Sequence, residues 1–269
     1  MNGRTLRLRE PPSCPLDLAP LSPETVLATS ESELAALPLR LGNRVVTVGE
    51  LFAMRPGPDE EGTLVLEGTN GWCDRIGVGL AAGTIRILGD AGAELGLGMR
   101  GGRIEVEGSV GELAAAEARG GFLRIRGDAG SGLAGALPGS GGASGVTVLV
   151  EGDCGAMAAQ GMRRGLVAVL GGCGAHLGYA LRGGTVLVRG PCGSHPGTAM
   201  RRGSLLLFDA AARPGPSFVD AGRHDLLWLA VLEHHLTDLG LTDFLPSRRV
   251  RRFLGDLADL GKGELLLVA

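Results

Sequence analysis

Glycine closes a short alternating run at Gly68, Gly89, Gly108, Gly127, Gly152, Gly171 and Gly190, in steps of 21, 19, 19, 25, 19 and 19 residues. A second set follows three residues later each time: Gly71, Gly92, Gly111, Gly130, Gly155, Gly174 and Gly193. Asp209 stands where the next closing glycine is due, and the long step coincides with the extra sequence LPGSGGASG (137–145), which reads as an exposed insertion. A period this short leaves no room for a strand, a crossover helix and two turns. It fits one coil that buries its apolar face only against copies of itself.

Each coil reads as G-x-x-G, a stretch of small residues, and a strand of about five residues such as TIRIL, RIEVE or TVLVR. Alternation then assigns an inward ladder: Leu64/Leu66, Ile85/Ile87, Ile104/Val106, Leu123/Ile125, Val148/Val150, Val167/Val169, Val186/Val188 and Leu205/Leu207. A second ladder is expected at Val78, Met99, Met162, Leu181 and Met200. The fold predicted is an all-β solenoid, a right-handed parallel β-helix of about 19-residue coils, with a small mixed α/β cap before it and a helical cap after it. The boundaries fall at 1–62 for the N-terminal cap, 63–209 for the glycine-rich β-helix and 210–269 for the C-terminal helical tail. In the first cap RTLRLR reads as a strand, Ser22 and Ser30 or Ser32 as helix caps, and Gly42-Asn43 as a tight turn. In the last, HDLLWLAVLEHHLTDLGL reads as an amphipathic helix between Asp225 and Gly240.

Outward positions divide the stack. Arg86, Glu105 and Arg124 alternate in sign in one column of the early coils, and Glu107 and Arg126 in the next. The later coils show Leu166, Ala168, Leu170, Leu187, Leu206 and Phe208 on that face, which requires a cover from the C-terminal segment or from a partner. The net charge of -3 and 3% aromatic content give no argument for nucleic acid. No apolar run reaches the roughly 18 residues of a membrane span, and the N-terminus lacks a signal-peptide core. With five cysteines, an odd number, a cytoplasmic location is expected.

Three columns could carry chemistry. Cys154, Cys173 and Cys192 recur at 19-residue steps, as a thiolate metal site or as small buried residues like Asn70, Ala91, Val110 and Ala129 before them. His176 and His195 stand one coil apart. Arg100, Arg119, Arg163, Arg182 and Arg201 share one coil position, whereas Ala81 and Ala143 lack the charge. Stacked like charges repel, so the column is either a solvated edge partly paired with Asp90, Asp128 and Asp153, or a docking surface for anions. No nucleophile elbow, P-loop, H-E-x-x-H or C-x-x-C is present, Lys262 is the single lysine, and no catalytic or metal-ligating residue is assigned.

The repeats GVGLAAGTIRILGDAG, GLGMRGGRIEVEGSVG and GYALRGGTVLVRGPCG resemble the glycine-rich β-helix in the C subunit of formylmethanofuran dehydrogenase. The same motif is similar to the C-terminal β-helix of the glutamate synthase large subunit. The preceding block LRLGNRVVTVGELFAM and the chain length resemble the free-standing C protein, and the Ala, Gly, Leu and Arg bias resembles its bacterial form in the formyltransferase/hydrolase complex. The resemblance implies a non-catalytic structural subunit in methylotrophic one-carbon metabolism, where formaldehyde is oxidised to formate through tetrahydromethanopterin and methanofuran carriers. It implies hydrolase, formyltransferase and dehydrogenase-like subunits as partners, with carriers and metal held on those subunits and no cofactor on this chain. The C subunit of a molybdenum or tungsten formylmethanofuran dehydrogenase, or a stand-alone ligand- or metal-binding β-helix, are the alternatives.

Overall fold

The structure, a computed structural model, describes residues 3–58, 60–140, 142–242, 244–245 and 247–268. The N-terminal part runs β1 (Arg4–Leu8), β2 (Leu16–Asp17), α1 (Pro23–Ala28), α2 (Glu31–Ala35), β3 (Pro38–Leu41), β4 (Arg44–Thr47), α3 (Val48–Leu51) and β5 (Phe52–Pro56). Its short helices start where side chains satisfy the first free N–H groups. The Ser22 hydroxyl accepts from Thr25 N–H, and Ser30 and Glu33 close a capping box. β3 and β4 pair antiparallel across Gly42-Asn43, as expected.

The repeats supply β6 (Thr63–Glu67), β7 (Cys73–Asp74), β8 (Thr84–Leu88), β9 (Arg103–Val106), β10 (Phe122–Ile125), β11 (Ser144–Val150), β12 (Arg164–Val169), β13 (Thr185–Val188) and β14 (Arg202–Leu207). Except for β7, which joins β2 in a small separate sheet, these lie parallel and in register within one 13-stranded sheet. The expected inward ladder is the observed one: Leu64, Ile85, Ile104, Leu123, Val148, Val167, Val186 and Leu205 pair in sequence, and all are fully buried. Aliphatic, largely β-branched side chains stack on a pleated face without leaving gaps, which fixes this register.

The second ladder begins at Leu80, not Val78. It continues through Met99, Ala118, Ala143, Met162, Leu181 and Met200, all buried, while Val78 is half-exposed. The two extra residues of the first step precede residue 75, so this side of the stack already keeps a 19-residue step. A third buried row, Ile76, Leu95, Ala114, Leu133, Ala158 and Leu177, completes the interior. Around it the chain takes left-handed steps at alternate residues. Twelve non-glycine residues among those described have positive φ, including Arg75, Glu94, Leu113, Met157, His176 and His195 in one column. Ten of their N–H groups are tied between rungs, forward at Glu94 to Glu112 O and backward at Ala115 to Leu95 O, so this side is hydrogen-bonded although it is not a sheet.

The C-terminal part holds β15 (Val219–Asp225), α4 (Trp228–Asp238), β16 (Arg249–Gly255) and β17 (Lys262–Val268). The helical cap expected there is thus half of the answer. β17 continues the parallel sheet beside β14, with Leu265 opposite Leu205, and β16 and β15 follow antiparallel. Asp225 ends β15 and does not start the helix. Leu229, Leu232 and Leu236 of α4, with Phe244 and Leu245, cover Leu149, Leu166, Ala168, Leu187 and Leu206, so the apolar outer face is covered by the chain itself. No helix among the described residues is long and apolar enough to cross a membrane.

Candidate functional site

The arginine column lies on the turn that leads from the left-handed run into each strand. Arg119 N–H donates to Met99 O, Arg163 to Ala143 O, Arg182 to Met162 O and Arg201 to Leu181 O, one rung back each time at 2.7–2.8 Å. The same bond from Ser144 to Ala118 O places Ser144 in the column, and Ala143, expected there, is buried in the inward ladder instead. The glycines after Arg100, Arg119 and Arg182 are set by crowding: a Cβ on Gly183 would lie 2.4 Å from Arg163 O. Arg100, Arg119, Arg163, Arg182 and Arg201 are all exposed.

Arg201 has a counter-charge, Asp259, at 2.8 Å. The other four make no ion pair among the described residues. Asp90, Asp128 and Asp153 do not neutralise them, because each carboxylate accepts the backbone N–H of the next rung: Ser109 at 2.8 Å, Asp153 at 2.8 Å and Gly172 at 2.7 Å. Sequence reasoning missed this acceptor column, although the G-[D/S] dipeptide after β8, β9, β10 and β11 marks it. The early outward pairs form only in part. Arg126 meets Glu107 at 3.3 Å, and Arg86 reaches Glu105 at 3.7 Å but Glu60 at 2.8 Å. Arg124 turns to Glu151 at 2.6 Å.

Ala91, Val110, Ala129, Cys154, Cys173 and Cys192 bridge one to the next in parallel, so the cysteines follow small residues in one column. Asn70 lies outside it, donating to Pro12 O and accepting from Trp72 N–H. Cys154 is buried, and burial, with Cys173 and Asp153 nearby, pushes its thiol up to about 12. Among the described residues no three His, Cys, Asp or Glu side chains converge on a point that could hold a metal ion. The His176 and His195 rings stack at 5.2 Å, with the edge of Tyr179 at 6.2 Å from His176, an arrangement that neighbouring rungs produce without a ligand. What the arginine edge can do chemically is bind anionic groups spaced along a chain.

No protein-family model matches the chain. It is 45% identical over 267 residues to the C subunit of the formyltransferase/hydrolase complex Fhc of Methylorubrum extorquens AM1, covering 98% of this chain and 99% of that protein. Its structure is similar to a chain of the crystal structure of the formyltransferase/hydrolase complex (FhcABCD) from Methylorubrum extorquens in complex with methylofuran. The TM-score is 0.91 at 38% identity, over 98% of this chain and 99% of that chain.

Proposed function

Because the chain belongs to the family of C subunits of formyltransferase/hydrolase complexes, we propose that it is the non-catalytic structural subunit of such a complex. The observation that carries this reading is similarity at 45% identity along nearly the whole length of both proteins, caps included. Its partners are then the hydrolase, formyltransferase and dehydrogenase-like subunits. They hold the tetrahydromethanopterin and methanofuran-type carriers and any metal, in a cytoplasmic pathway that takes formaldehyde to formate. The stacked repeats wind as a right-handed β-helix and serve as a rigid spine. The exposed arginine edge is the docking surface, taking acidic surface of a partner or the glutamyl units of the carrier, since among its described members only Arg201 has a counter-charge of its own.

The test follows from that asymmetry. Tagged chain should bring down the other subunits from its native cell, and failure to do so removes the subunit reading. A variant with Arg100, Arg119, Arg163 and Arg182 all replaced by glutamine should keep its β content and melting temperature, because those side chains are exposed. Assembly or formyl transfer should weaken in that variant, most at low salt, where screening is least. Unchanged assembly and unchanged turnover at low salt would leave the edge as solvated arginines.

A further inference from the structure

The three stacked cysteines differ in access. Cys154 is buried, whereas Cys173 and Cys192 are half-buried, free, and have their sulfur atoms 3.5 Å apart. A direct backbone bridge joins the two residues, so their Cα atoms sit one rung apart, about 4.8 Å, within the span of a disulfide. The column ends at Cys192, whose N–H donates to the carboxylate of Asp209 at 3.0 Å, so no further cysteine competes from that side.

We propose that Cys173 and Cys192 form a reactive dithiol, which low-molecular-weight disulfides convert reversibly into a disulfide across adjacent rungs. The Cys173 thiolate attacks one sulfur of the incoming disulfide, forming a mixed disulfide and expelling the first thiolate, which takes up a proton. Cys192 then gives up its proton to solvent and attacks the Cys173 sulfur, closing the internal bond and expelling the second thiolate, which is protonated in turn. Two cysteine thiols are oxidised and one external disulfide is reduced to two thiols. The order of attack follows from the pair itself. The sulfur–sulfur hydrogen bond at 3.5 Å holds the Cys173 thiol below its ordinary value, and that same contact, with burial, pushes Cys192 up. Cys154, in register on the other side of Cys173, is excluded by its burial and raised thiol.

The chain contains its own comparison, because Cys14 is also half-buried and free but has no hydrogen-bonded sulfur beside it among the described residues. The full-length protein, treated with oxidised glutathione, alkylated and digested, should yield a linked peptide pair joining Cys173 to Cys192. Cys14 should carry glutathione, and Cys73 and Cys154 should react with the alkylating agent only after unfolding. Dithiothreitol should reverse the link. In the Cys192→Ser variant, glutathione should remain on Cys173. The proposal falls if Cys14 becomes fully modified while Cys173 and Cys192 stay unlinked, whether as free thiols or as separate mixed disulfides, or if the link joins Cys154 to Cys173.

Discussion

Gly172 has no side chain to offer the next rung, and Pro191, its partner there, has no N–H to be satisfied. Elsewhere in that column Asp90, Ser109, Asp128 and Asp153 each accept from the rung above, so donor and acceptor are absent together between Gly172 and Pro191. The same logic closes the stack on its left-handed side. Asp256, 4% exposed, accepts from Ala199 N–H and from Ala258 N–H at 2.9 Å each, in place of a further rung. Burial alone would push this carboxyl up. The hydrogen bonds from Ser217, Ala199 and Ala258 outweigh it and hold the group below the ordinary carboxylate range. A lowered folded pKa means the contribution is complete above the unfolded value of about 3.9 and is lost as pH falls through the folded one. Asp256→Asn should therefore destabilise the protein at neutral pH by about 1–3 kcal/mol, since one backbone donor is left facing an amide N–H. The gap from wild type should shrink in urea melts as the pH is lowered below about 4. A gap that stays constant down to strong acid would mean that the charge of Asp256 contributes nothing.

At the scale of elements, what the sequence made legible was whatever repeats with an aliphatic side chain. The strands β6 to β14, apart from β7, follow from alternation plus spacing, and Leu64 to Leu205 fall where that pattern puts them. The left-handed side was not legible, because its signal is smallness at alternate positions, as in GVGLAAG and LAAAEA, and smallness alone does not name a conformation. Nor were β15, β16 and β17: they occur once each, so no period reports them, and RRVRRFLG interrupts its alternation with charge. In the candidate site the positions of the five arginines were readable, but their pairing was not. Arg201 meets Asp259 across 58 residues, a contact that depends on how β17 and the loop before it return to the stack. That return also decides the fate of the apolar outer face. Removing residues 222–269 takes away α4, β16 and β17 and uncovers Leu149, Leu166, Leu187 and Leu206. The shortened chain should associate or bind hydrophobic dyes, and Leu229→Ala or Leu236→Ala alone should lower stability by about 2–5 kcal/mol each. A monomeric shortened chain with unchanged melting temperature would show that the face needs no cover.

Across the whole molecule, the parallel strands of the repeats pair in register with their neighbours, so stability is expected to sum over neighbouring rungs. The single 25-residue step tests this. Ala136 N–H donates to Gln160 O on the following rung, and Ala143 takes the next place in the buried row that runs through Ala118. The sequence between Ala136 and Ala143 is therefore six residues longer than the repeat requires, and excising 137–142 returns the step to 19 residues. They are not wholly idle: Leu137 N–H donates to the Glu117 carboxylate at 2.8 Å, and the Ser140 hydroxyl donates to it as well. Those contacts are worth on the order of 1 kcal/mol each, and a shorter loop recovers a fraction of that in closure entropy. Excision should thus change stability by no more than about 1–2 kcal/mol and leave the β content intact. Deleting an equal block inside a rung, residues 172–177, should abolish folding, because it removes two bridges of the cysteine column and throws Leu181 out of the buried row. Denaturant melts of the two deletions decide it. If both fold, the rungs slip past one another and in-register stacking is not what specifies the molecule. If neither folds, the loop at 137–142 is part of the structure and not an interruption of it.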